Sequence, residues 1–107
     1  MALDEEVALI TVKNVKNQNG FAEQQESKLT VDCREKSATR TEFYEALRSN
    51  ITISLVLEVR IEDFELTGYV TPNRKKAYAT KAEYDGAVYD IVRAYKSDKS
   101  MVELICS

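Results

Sequence analysis

The chain has no histidine and no tryptophan. Without imidazole it has no Ser-His-Asp or Cys-His catalysis, no histidine metal site and no histidine charge switch near neutral pH. Three glycines and one proline are too few for a flexible linker or a glycine-rich phosphate loop. The only cysteines are Cys33 and Cys106, fewer than a four-ligand structural zinc site takes. No stretch nears the roughly 18 apolar residues of a membrane span. No apolar run follows a basic N-terminus as in a signal peptide. The expectation is a protein of the reducing cytoplasm with buried thiols. Asn50-Ile51-Thr52 spells a glycosylation acceptor, which carries no weight without a secretory signal.

What is present is one small domain of 107 residues and 12.2 kDa. A fold of this size buries roughly 60–68% of its unfolded surface, enough for a core with little surplus. The composition is 44% hydrophobic and 31% charged, with 15 basic and 18 acidic residues. A net charge of −3 suits neither a polybasic nucleic-acid binder nor an acidic disordered tail.

Residues 7–16 are β-branched and apolar and read as a first strand. Asn17-Gln18-Asn19-Gly20 is a turn cluster. Residues 25–36 alternate, with Leu29, Val31 and Cys33 on one face, and predict a half-buried strand. The period then changes. Thr39 with Glu42 fits a capping box, and Phe43 and Leu47 share a helical face beside Tyr44. This predicts one short helix over residues 39–49. Too short to be stable alone, it must dock through Phe43, Tyr44 and Leu47.

Residues 51–60 alternate strictly. Ile51, Ile53, Leu55, Leu57 and Val59 fall on one side, which predicts a ten-residue strand with one face on the core. A strand that long at a sheet edge could accept a neighbouring subunit. Residues 61–76 read as a long loop. It carries an acidic cluster (Glu62, Asp63, Glu65) and a basic run (Arg74, Lys75, Lys76), and long loops in compact domains are often functional. Two strands follow, at 77–84 and 87–96, joined by Asp85-Gly86, a dipeptide suited to a turn with both residues at positive φ. Residues 101–106 make the last strand. The predicted fold is mainly β: a small antiparallel β-barrel or sandwich of about six strands with one helix.

No catalytic constellation, cofactor site or metal site follows from these residues. Neighbouring carboxylates such as Glu62 and Asp63 point opposite ways along an extended chain and make no acid–base pair by spacing alone. Arg74, Lys75 and Lys76 could meet nucleic-acid phosphates, or form a solvated turn. Five tyrosines in the C-terminal half could stack single-stranded bases, or pair across strands.

The spelling carries further. The run Val31-Asp32-Cys33-Arg34-Glu35-Lys36-Ser37-Ala38-Thr39-Arg40-Thr41-Glu42-Phe43-Tyr44-Glu45-Ala46 resembles the strand and S/T-R-S/T-E-F-Y-E-A helix of the head-closure proteins of long-tailed phages, also called head–tail joining or stopper proteins. Residues 83–95, EYDGAVYDIVRAY, are similar to that family's hairpin. Val102-Glu103-Leu104-Ile105-Cys106 is similar to its last strand. The resemblance runs in order along nearly the whole chain.

That resemblance implies a β-barrel virion protein of the phage neck, not an enzyme, with no cofactor. It implies a ring of identical subunits, often twelve, assembled from chains that can be monomeric beforehand. The ring would sit under the portal and adaptor proteins, close the channel over packaged double-stranded DNA, and present the docking surface for tail proteins. The implied location is the host cytoplasm before assembly and the head–tail interface afterwards, with no membrane partner. Residues 61–76 are the candidate gate or interface segment. Two alternatives remain: another neck or tail ring protein, such as a tail terminator, and a small β-barrel nucleic-acid-binding module. Charge is uneven along the chain. Residues 31–66 hold five basic and eight acidic residues, and residues 67–107 hold seven and five. This asymmetry could orient subunits.

Overall fold

The computed structural model describes residues 3–16, 18–37, 40–50 and 52–107, and for 40–43 the backbone only. Six strands close an antiparallel barrel: β1 (Glu5–Lys16), β2 (Ala22–Lys36), β3 (Leu55–Arg60), β6 (Lys81–Tyr84), β7 (Ala87–Lys96) and β8 (Met101–Cys106). Their order around the wall is β1-β2-β3-β8-β7-β6, and β6 pairs back onto β1. Helix α1 (Arg40–Arg48) links β2 to β3. Between β3 and β6 lie α2 (Ile61–Glu65) and a two-stranded sheet of β4 (Tyr69–Val70) and β5 (Lys76–Ala77).

Alternation along each strand points one side chain in two inward, which is how a small barrel fills its own interior. Val7 and Leu9, Val31 and Cys33, Leu57 and Val59, Val102 and Leu104, and Ala82 and Tyr84 meet in one cluster with Phe64, Ala79 and Cys106. Leu9, Leu57 and Leu104 are wholly buried, and each such side chain contributes about 1.5–3 kcal/mol of transfer free energy. On β7 the register slips between Ile91 and Arg93. That bulge reverses the alternation, so Arg93 lies opposite Ile105 and Tyr95 opposite Glu103.

The wall is unevenly paired. β1 pairs with β2 along its whole length, but with β6 only at Ala8, Leu9 and Ile10. β2 meets β3 only from Cys33 to Lys36. The distal halves of β1 and β2 therefore run on beyond the barrel as a two-stranded arm. The molecule is accordingly long, 49 × 32 × 28 Å, and its radius of gyration is 14.9 Å, against about 13 Å for a compact chain of this length.

Several expectations need correction. The strand after α1 is Leu55–Arg60 and not ten residues long; of its predicted extension, Ile51 lies outside the described residues and 52–54 are not strand. It is not an edge, since it runs between β2 and β8. Nor is one face solvated: Val56 and Glu58 are as buried as Leu57 and Val59. Glu45 of α1 lies 3.5 Å from Arg93, the register neighbour of Ile105, which puts α1 on this outer side of the wall. The predicted long loop at 61–76 contains α2 and most of the β4–β5 sheet, so two helices, not one, lie among the described residues. The predicted strand at 77–84 is interrupted at 78–80, where Tyr78 turns in to stack on Phe64. Tyr44 and Leu47 stand about half exposed and are not in the barrel core. The side chain of Phe43 and the capping residue Thr39 lie outside the described residues.

Candidate functional site

The segment between β3 and β6 closes one end of the barrel. Helix α2 starts directly from β3 without a capping side chain; Arg60 is extended there, at φ −70° and ψ 143°. Two other features hold the helix. Glu62 and Asp63 lie in its first turn, where carboxylates offset the positive end of the helix dipole. The amide of Ile61 donates to the carbonyl of Ser100 at 2.9 Å. Phe64 then drops into the open end of the barrel and stacks on Tyr78, with ring centroids 5.1 Å apart.

Thr67 ties the helix back to the wall. Its buried hydroxyl donates to the Phe64 carbonyl at 2.7 Å and accepts from the Ala79 amide at 3.0 Å. Gly68 follows, at a position where a side chain would be tightly crowded. A Cβ would lie 3.0 Å from the Glu65 carbonyl oxygen and from Lys76 Cε, and 3.1 Å from the Tyr78 ring. This close approach brings the acidic helix and the basic run side by side. Glu62, Asp63 and Glu65 sit on α2 at the base; Arg74 and Lys75 sit in the turn between β4 and β5, and Lys76 opens β5. That turn is closed by Arg74 N–H to the Thr71 carbonyl at 2.9 Å and Thr71 N–H to the Lys75 carbonyl at 2.8 Å. Pro72 presets the first turn angle, and Arg74 takes a positive φ of 62°.

The segment also braces the arm. The Tyr69 hydroxyl donates to the Val12 carbonyl at 3.3 Å, and the Lys13 ammonium lies 5.0 Å from the Tyr69 ring centre. Lys76 covers the Tyr78 ring at 5.6 Å. Arg74, Lys75 and Lys76 are exposed, as are Glu62 and Glu65. Asp63 is half-buried and lies 3.7 Å from Arg60. The predicted gate residues thus share one anchored cap, mixed in charge, with its basic end outermost.

Where β6 stops and β7 continues, the wall has a seam. Ile61, Phe64, Tyr78, Ala94 and Val102 line an apolar pocket of about 160 Å³ there, with Glu65 and Lys96 at its rim.

The opposite end carries the Asp85-Gly86 turn. Both residues take positive φ, 50° and 80°, and they join β6 to β7 with Tyr84 paired to Ala87. Glu5, Glu6, Glu35 and Asp85 gather around Tyr84, whose hydroxyl donates to Glu5. Among the described residues no group of histidine, cysteine or carboxylate side chains is placed to hold a metal. Cys33 and Cys106 are buried free thiols. Burial pushes both up to about 12, with the Glu5, Asp32, Glu35 and Glu6 carboxylates adding to the effect at Cys33. Such thiols are poor nucleophiles.

Sequence reasoning missed a polar ladder on the outer wall. Arg34 pairs with the buried Glu58, and Lys36 with the buried Glu103; the Tyr95 hydroxyl also donates to Glu103. Lys36 lies 3.6 Å from Glu58, and the Ser97 hydroxyl donates to Glu58 at 3.0 Å. Burial alone would raise the Glu103 carboxyl. Hydrogen bonds from Lys36 and Tyr95 overcome it and hold the group below its ordinary value. The hydrogen bond to Glu103 in turn raises Lys36. A single Glu inside each of two apolar runs, LVLEVR and MVELIC, was the available signal, because a carboxylate there must be buried with a partner.

No family model matches this chain, and no curated protein or solved structure matches it either.

Proposed function

We propose that this chain is a structural protein of a phage neck, forming a ring that closes the DNA channel and receives the tail. One observation carries the reading: the motifs that resemble head-closure proteins fall on successive structural units in chain order. Residues 31–36 lie in β2, residues 40–46 (RTEFYEA) in α1, EYDGAVYDIVRAY on the β6–β7 hairpin and VELIC in β8. One feature of the molecule suits the role. It offers two unlike ends, one acidic and one capped by a basic turn, and unlike patches are what a head-to-tail ring uses. In this reading Arg74, Lys75 and Lys76 face DNA phosphates or the next subunit.

A nucleic-acid-binding module is the second reading. It is favoured by the grouping of Lys13, Lys76 and the Arg74 turn with Tyr69 and Tyr78, and opposed by the pI of 5.0. Immunogold labelling of intact virions from the encoding phage separates the two. Gold at the head–tail junction is expected; virions free of the chain, with salt-dependent binding of single strands by the purified protein, would replace the neck reading with the second.

A further inference from the structure

Among the strand edges that lack a neighbouring strand in the described residues, two differ in chemistry. One belongs to the arm. Residues 22–32 of β2 pair with β1 on one side and with no other strand on the other, among the described residues. The charges in its outer part, residues 22–27, are Glu23 and Glu26, both acidic. A two-stranded ribbon exposed on both sides is marginally stable in water by itself. At its base stands Tyr69; near its tip stands Phe21, 70% exposed.

The second edge belongs to β7. β6 covers it only from Ala87 to Asp90, with one more bond from the Ile91 amide to the Thr80 carbonyl. Residues 93–96 pair with β8 and, among the described residues, with no other strand. The charges there, Arg93 and Lys96, are both basic. Directly beside this edge opens the apolar pocket of Ile61, Phe64, Tyr78, Ala94 and Val102. Its volume of about 160 Å³ fits one aromatic ring, since an apolar cavity of about 150 Å³ accepts benzene.

We propose that these two surfaces are made for each other on separate copies of the chain. The arm of one copy lies along the open edge of β7 in the next, with Phe21 in the Phe64–Tyr78 pocket and Glu23 and Glu26 facing Arg93 and Lys96. Strand addition satisfies backbone groups that both edges leave to water, and the aromatic anchor fixes the position. The two patches differ, so the contact is heterologous and repeats from copy to copy. The inference names the subunit contact of the ring proposed above and rests on that reading for its closure into a ring.

Phe21 is the residue to test, because its exposure in the single chain lets it be changed without touching the core. One chain carrying Phe21→Cys and a second carrying Ala94→Cys are mixed and oxidised, and the products are separated without reductant. A mixed dimer is expected, and the chain carrying both substitutions should give a ladder of multimers. The buried Cys33 and Cys106 leave the background low. In sedimentation, the native chain should associate with rising concentration, and Phe21→Ser should weaken this by roughly tenfold or more, the loss of a buried aromatic anchor. Absence of the mixed dimer, or association unchanged by Phe21→Ser, overturns the contact. These readouts use the purified chain alone, so the contact can fail while gold still marks the neck, or hold while virions lack the chain.

Discussion

β8 and the arm are strands of one barrel with opposite surroundings. All six residues of β8 are buried on both faces of the wall. All seven residues from Ala22 to Lys28 on β2 are exposed. The difference follows from neighbours. β8 lies between β3 and β7, with the core inside and the Lys36–Glu58–Glu103–Tyr95 ladder outside. Ala22–Lys28 pair with β1 and, among the described residues, with no other strand. Burial is therefore concentrated in β3 and β8, while the outer arm adds little to the core.

Substitutions sharpen this contrast. Leu104→Ala removes a wholly buried side chain and should cost about 3 kcal/mol, read as a lower denaturant midpoint with unchanged slope. Glu103→Ala should cost about 2 kcal/mol, less than a fully buried pair because Lys36 keeps contact with water. The same ladder sets the pH range. Glu103 is held low, so its contribution is present above its unfolded value and is lost as pH falls through its folded value. Lys36 is raised, so its contribution is present below its unfolded value and is lost as pH rises through its folded value. Cys33 and Cys106, at about 12 in the fold, also penalise the folded state as pH climbs above the ordinary thiol value. Thermal melts across pH should show both limbs, and Glu103→Ala should flatten the acid one. Gly86→Ala forces a side chain into a φ of 80° and should cost about 1 kcal/mol. Glu26→Ala on the arm should change stability by less than about 0.5 kcal/mol. A large loss there would show that the arm carries stability and erase the contrast.

Local signals in the sequence were enough for β7, β8 and the Asp85-Gly86 turn, because alternation and turn chemistry are properties of neighbouring residues. The count of strands narrowed the class to a small antiparallel barrel or sandwich. Two things depended on distant partners. Val56 and Glu58 alternate with Leu57 and Val59 as if on a wet face, yet Arg34, Lys36 and Ser97 from other segments cover Glu58. Helix α2 has no side-chain cap and only five residues, so it resembled loop; packing of Phe64 on Tyr78 makes it. The candidate charges were visible as exposed clusters. Their meeting in one cap was not, since it hangs on the tight fit at Gly68.

The neck assignment is tested most directly by disrupting the gene in its phage and imaging the lysate by electron microscopy beside the intact phage. Tailless heads that have lost their DNA, next to normal free tails, are the expected result. Complete, normal virions would contradict it.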